Sequence, residues 1–211
     1  TPSQLANHDW GAISKSDDNS ENRELDSAQR GRAATRIGSA VHQVLQDINF
    51  DDTSDIQQLV TSAIQAWELE EDPANIEMKV RNTLEAPILQ GVSESDIIHE
   101  AWVAAKIDDL NGNVLEGSID LLIRHADDSF SIVDFKTDSV SGTDLEERAA
   151  QYEPQLGGYV LILESLKKKV ARAILLFSDG GDEGGYRQFE IEDLVNAKNR
   201  AISQAKIELG I

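Results

Sequence analysis

Phe130-Ser-Ile-Val-Asp-Phe-Lys-Thr137 is an apolar stretch interrupted by two charges. On a strand, side chains two residues apart point the same way. Ile132, Asp134 and Lys136 therefore share one face, and Val133 and Phe135 the other. An acid and a lysine stand side by side in a segment that otherwise belongs in a core, where burying either charge alone is costly. Taken by itself, the pair reads more readily as an internal salt bridge or a solvated face than as a site, because a D-x-K triplet is a short motif.

The segment just upstream changes that reading. Glu116-Gly-Ser-Ile-Asp-Leu-Leu-Ile123 puts Asp120 in another apolar strand, and the short turn through Asp127-Asp128 pairs the two strands as antiparallel neighbours. Two carboxylates and an ammonium can then converge on one patch. Close carboxylates repel each other unless a cation lies between them, and hard oxygen ligands select Mg²⁺ or Mn²⁺. Gly117 permits a bulge or a close approach to the backbone, and fits ordinary hairpin geometry equally well.

Working outward, the period changes. Ile37, Val41, Val44, Leu45 and Ile48 recur at helical spacing, with order beginning near Arg32. Ile56 to Trp67 marks a second helix, and Asp72-Pro73 opens a third that runs to about Leu89. Ile98 to Ile107 alternates as a strand and meets a hairpin turn at Asn111-Gly112, followed by a strand over Val114–Arg124. After the Phe130–Thr137 strand come a helix over Thr143–Leu166, a doubly buried strand over Val170–Phe177, a short strand within Tyr186–Ile191 and a closing helix over Glu192–Leu209. Glu153-Pro154 marks a kink or restart in the first of these helices, and Gly157-Gly158 signals close approach to its backbone. Helices, three antiparallel strands, helix, strand, helix is an α/β domain: a central mixed β-sheet flanked by helices.

Length and composition bound the function. The 211 residues suit one domain, with 40% apolar and 27% charged residues. Residues 1–30 are polar and lack an apolar period, so they read as a linker or disordered arm before a domain over 31–211. The chain starts at Thr1 and not at Met, which leads us to expect excision from a longer polypeptide. No apolar run approaches the roughly 20 residues of a membrane span, and Thr1 to Trp10 has no signal pattern. Without cysteine there can be no disulfide, thiolate zinc site or iron–sulfur cluster, and a reducing cytoplasm is the expected compartment. The net charge of −20 argues against a free-standing DNA binder. Positive charge is local. Arg30, Arg32 and Arg36 approach the first helix, and Lys167-Lys-Lys169 fits either phosphate contact or a helix C-terminal charge complement. The chain has no P-loop, G-x-S-x-G or H-E-x-x-H, so helicase action by this chain alone is not expected.

Gly117-Ser-Ile-Asp120, Asp134-Phe-Lys136 and Gln155-Leu-Gly-Gly-Tyr159 resemble the RecB-type branch of the PD-(D/E)XK nucleases, and Gly38-Ser-Ala-Val-His42 matches that branch's early Gly-x-x-x-His. The four motifs come in the family's order. The resemblance implies a restriction-endonuclease-like core and a Mg²⁺- or Mn²⁺-dependent deoxyribonuclease. It implies an exonuclease of the RecB/AddA-like, helicase-associated kind, working on DNA ends in recombination or repair beside a helicase motor. By the same resemblance, His42, Asp120 and Asp134 would hold the metal together with the Phe135 carbonyl, and Glu100 matches an extra acidic position. Lys136 would activate the attacking water, and Gln155 and Tyr159 would hold the scissile phosphate. Arg32 and Arg36 are further candidates for contacting DNA. Two other readings stand beside this one: a stand-alone exonuclease of phage or recombination type, and a non-catalytic DNA- or protein-binding module that keeps the fold.

Overall fold

The computed structural model describes residues 36–69 and 73–211. The arm expected over 1–30, with Arg30 and Arg32, lies outside them. The first helix, α1, is described over residues 36–47. It is followed by α2 (Ile56–Ala66) and α3 (Pro73–Leu84), then β1 (Ile97–Ile107), β2 (Asn113–Arg124), β3 (Ser129–Ser139), α4 (Leu145–Ser165), β4 (Lys169–Asp179), β5 (Arg187–Glu190) and α5 (Leu194–Leu209). The strands form one mixed sheet in the order β1-β2-β3-β4-β5. β3 and β4 are parallel, with α4 as their crossover, and the other neighbours are antiparallel.

Each face of the sheet carries a core. Ala40, Val41, Val44 and Leu45 of α1 pack with α2 and α3 against Val133, Phe135, Ile174 and Leu176. Leu156, Val160 and Leu163 of α4, with Ala197 of α5, pack against Ile132, Ala173, Leu175 and Phe177 on the other side. β4 is thus buried on both faces, as its unbroken apolar run predicts.

The third helix stops at Leu84, short of the expected Leu89, and Pro87–Leu89 forms a separate 3₁₀ turn. Proline cannot donate to the helix and clashes with the carbonyl four residues back, while Ala86 before it is extended at ψ 136°. Pro154 behaves differently: α4 runs through it without a restart. The Ala150 carbonyl, four residues back, would lose its helical donor. It accepts a 3.1 Å hydrogen bond from the Arg200 guanidinium of α5, which also pairs with Glu153. At Gly157, an added Cβ would lie 2.1 Å from the Ala197 carbonyl oxygen, so the glycine lets α5 press onto α4.

Candidate active site

β1 and β2 pair from Ile97↔Ile123 to Ile107↔Asn113, with the register skipping Glu100 and Asp120. β2 and β3 pair only from Arg124↔Phe130 to Leu121↔Val133, while β3 continues beside β4 to Ser139↔Asp179. The sheet therefore forks, and Asp120 and Asp134 are the first residues past the fork on its two arms. The Phe135 N–H, with no strand partner on that side, donates to Asp120 Oδ2 at 2.6 Å. A strand residue's N–H and C=O point to the same side, so the Phe135 carbonyl faces the same gap.

A second irregularity lies at the same level. Ile97 packs into the α1–α3 core, yet Ala101 and Val103, at even spacing from it, pack under α4. In β2, Leu121 and Ile123 belong to the first core and Ile119 to the second. Both strands reverse their faces between these residues. Glu100 sits at the reversal with φ +44°, a left-handed conformation uncommon for a residue with a Cβ. Its carboxylate accepts from Ser118 Oγ at 2.9 Å.

α1 completes the cluster. Gly38 lets the helix approach β3, since a Cβ there would lie 2.9 Å from Thr137 Oγ1. His42, one turn on, edges against the Phe135 ring and brings Nδ1 to 3.6 Å from Asp120 Oδ1. One potential ligand atom from each of His42, Glu100 and Asp120 lies within 4.8 Å of the others. Burial pulls the His42 pKa down, but the adjacent Asp120 carboxylate outweighs it and the net shift is upward.

Asp134 lies beside this cluster and is only 2% exposed. Burial pushes its pKa up to about 6, against the pull of Lys136. Lys136 Nζ lies 2.7 Å from Asp134 Oδ2 as an ion pair. The same ammonium donates to Gln155 Oε1 at 3.1 Å and lies 4.1 Å from the centre of the Tyr152 ring. Burial lowers the Lys136 pKa, but Asp134 beside it more than compensates, and the group stays charged. Gln155 Nε2 donates to the Tyr159 hydroxyl at 3.2 Å, and Gly117 leaves room for that ring, because a Cβ would come within 2.8 Å of Tyr159 Cε1.

Eight of the ten expected site residues are thus at the fork or one side chain from it: His42, Glu100, Asp120, Asp134, Phe135, Lys136, Gln155 and Tyr159. Arg36 is elsewhere. Its guanidinium donates to the carbonyls of Trp67 and Glu68 at the end of α2. Arg32 lies outside the described residues. Tyr152 and Asp138 were not anticipated, although simple spacing marks both. Asp138 continues the Asp134, Lys136 face of β3, and Tyr152 lies one turn before Gln155; their hydroxyl and carboxylate meet at 2.6 Å. A cleft of about 920 Å³ opens over this patch, with His42, Glu100, Lys136, Arg148 and Tyr152 among its walls.

The His42 imidazole nitrogen and the carboxylate oxygens of Glu100 and Asp120, grouped within 4.8 Å of one another, suit a divalent cation. A mixed sheet forked between two aspartates, with a lysine two residues after the second, defines a PD-(D/E)XK nuclease. Residues 18–208 match that superfamily, and the chain belongs to it. Over 95 residues it is 39% identical to an ATP-dependent helicase/nuclease subunit of Carboxydothermus hydrogenoformans. That match covers 44% of this chain and only 8% of the relative's length. The solved protein described as "Crystal structure of SSO0001" superposes over 88% of both chains at 14% identity, with a TM-score of 0.41.

Proposed function

We propose that the chain hydrolyses DNA phosphodiester bonds with Mg²⁺ or Mn²⁺ held by His42, Asp120, Asp134 and the Phe135 carbonyl, with Glu100 as a further ligand. In this reading residues 31–211 are the nuclease module of a RecB/AddA-like helicase–nuclease that acts on DNA ends in recombination or repair, in a reducing cytoplasm. The convergence of Asp120, Asp134 and Lys136 at the fork is the observation that carries it. When bound, the cation lowers the pKa of a water and withdraws charge from the phosphoryl oxygens. The side chains do the rest. Lys136, kept charged by Asp134 and aimed by Gln155, orients the attacking water and offsets charge on the phosphate in the transition state. Gln155 and Tyr159 hold the scissile phosphate on the α4 side. Packing under α4 keeps the ammonium in a site poor in water, where its charge acts strongly.

Incubation of the chain with linear single- and double-stranded DNA, with Mg²⁺, Mn²⁺ or EDTA, tests the reading. Cleavage that needs the metal and is lost in Asp120→Asn supports it. DNA binding without cleavage under any metal would leave a non-catalytic module instead.

A further inference from the structure

The face reversal at Glu100 leaves one surface of the β1–β2 ribbon bare. Beyond it, Ala101, Val103 and Ile119 turn to α4. Trp102, Ala104, Lys106, Val114 and Glu116 turn the other way and are all exposed, and no described element covers them. Trp102 is 65% exposed. Burying an indole is strongly favourable, so leaving one in water costs stability that a ligand can return.

The position of this ring is specific. Trp102 pairs across the ladder with Ser118. Directly opposed residues of an antiparallel pair have Cβ atoms about 4.5–5.5 Å apart on one face. Ser118 in turn donates to Glu100, whose carboxylate belongs to the His42–Asp120 cluster. One side chain, Ser118, therefore separates the indole from Glu100, and the indole lies on the open side of the sheet. The Ala104–Glu116 pair lies between it and Val114, and Lys106 stands opposite Val114, so charges interrupt any apolar patch of the kind a protein interface needs.

We infer that Trp102 is a stacking platform for an unpaired base of the DNA strand that enters the site. This rests on the hydrolytic reading above. A duplex keeps its base faces stacked inside, and only an unpaired nucleotide can lay a base on an indole. With a net charge of −20, phosphate contacts contribute little attraction, so a stacked base is a large share of what holds the strand.

The test uses labelled oligothymidylate, intact or with abasic sites, against the wild type, Trp102→Ala and Trp102→Phe. Dissociation constants are measured by polarisation with Ca²⁺, and cleavage kinetics with Mn²⁺. Trp102→Ala should weaken binding of the intact strand by roughly tenfold, with the loss falling on KM more than on kcat. Trp102→Phe should recover most of it. Abasic sites should weaken the wild type and leave Trp102→Ala no worse. Equal Kd and KM for the wild type and Trp102→Ala would overturn the inference and leave the surface to a protein partner. So would a penalty from abasic sites that is the same in both proteins. A wild type that binds the strand but never cuts it defeats the hydrolytic reading, and the Kd comparison still decides the role of Trp102.

Discussion

Asp134 and Lys136 face each other at 2.7 Å, and their environments assign them different work. Asp134 is buried with Lys136 as its charged neighbour, and in the proposed reading it also ligates the cation. Asp134→Ala should keep the fold and lose metal affinity by at least about 100-fold, more than the usual cost of removing an outer partner of a ligand. Calorimetric titration with Mn²⁺ measures this, and an unchanged affinity would sink the assignment. Lys136 is held by Asp134, by Gln155 and by the Tyr152 face, and in the proposed reading it serves the attacking water and the transition state. Lys136→Ala should cut kcat by about 10²–10³ while metal and DNA binding persist. Gln155→Ala, which frees the same ammonium, should lose less rate and little melting temperature. Near-normal cleavage by Lys136→Ala would make the ammonium a structural partner of Asp134 alone.

At the scale of elements, the junction of α3 and β4 ties the α1–α3 layer to the sheet. Lys79 of α3 meets Asp179 at 2.5 Å, and Asn82 caps the Ser178 carbonyl at 3.3 Å. Partial burial raises the Asp179 pKa, but its bonds to Lys79 and the Gly181 N–H outweigh that, and the net shift is downward. A carboxylate depressed in the folded state adds stability above its unfolded pKa and loses it as pH falls through the folded value. Asp179→Asn should therefore cost about 2 kcal/mol at neutral pH, less than a fully buried pair because Asp179 still touches water. The gap from wild type should begin to narrow below about pH 4 and close as the pH falls past the depressed folded pKa. Denaturant melts at pH 7 and pH 3 check both halves, and a gap as wide at pH 3 as at pH 7 contradicts the assignment.

The elements also mark where the sequence could and could not be read. The Asp134/Lys136 face was legible because strand geometry fixes it, and the mixed sheet because its strands differ in apolar pattern. The face reversal was not. Ala101, Val103, Ala104 and Ala105 are all small or apolar, so alternation in β1 carries no marker of phase. Pro154 read as a break because its remedy, Arg200, lies on another helix. Glu100 lacked a local signal because its place depends on a positive φ within a strand. Trp102 looked like one more strand residue for the same reason.

For the whole molecule, the net charge of −20 remains the dominant field, and it opposes approach to duplex DNA. We expect the module to cut poorly alone and well when tethered to a DNA motor, since a short flexible tether supplies an effective concentration of about the millimolar range. Cleavage rates of the isolated chain and of a motor fusion, compared across salt, decide this. Fast cutting by the isolated chain at physiological salt would favour a stand-alone exonuclease. The fork bears on the whole molecule in another way. It ties the Phe135 amide to a carboxylate, while Val133 beside it sits in the regular ladder. Deuterium exchange can watch these two amides separately. Adding Mn²⁺ should draw Asp120 away from the amide and hasten exchange at Phe135, with Val133 unchanged. One proton would then serve as an occupancy gauge for the site, readable without any substrate, and equal rates with and without the ion would break that link.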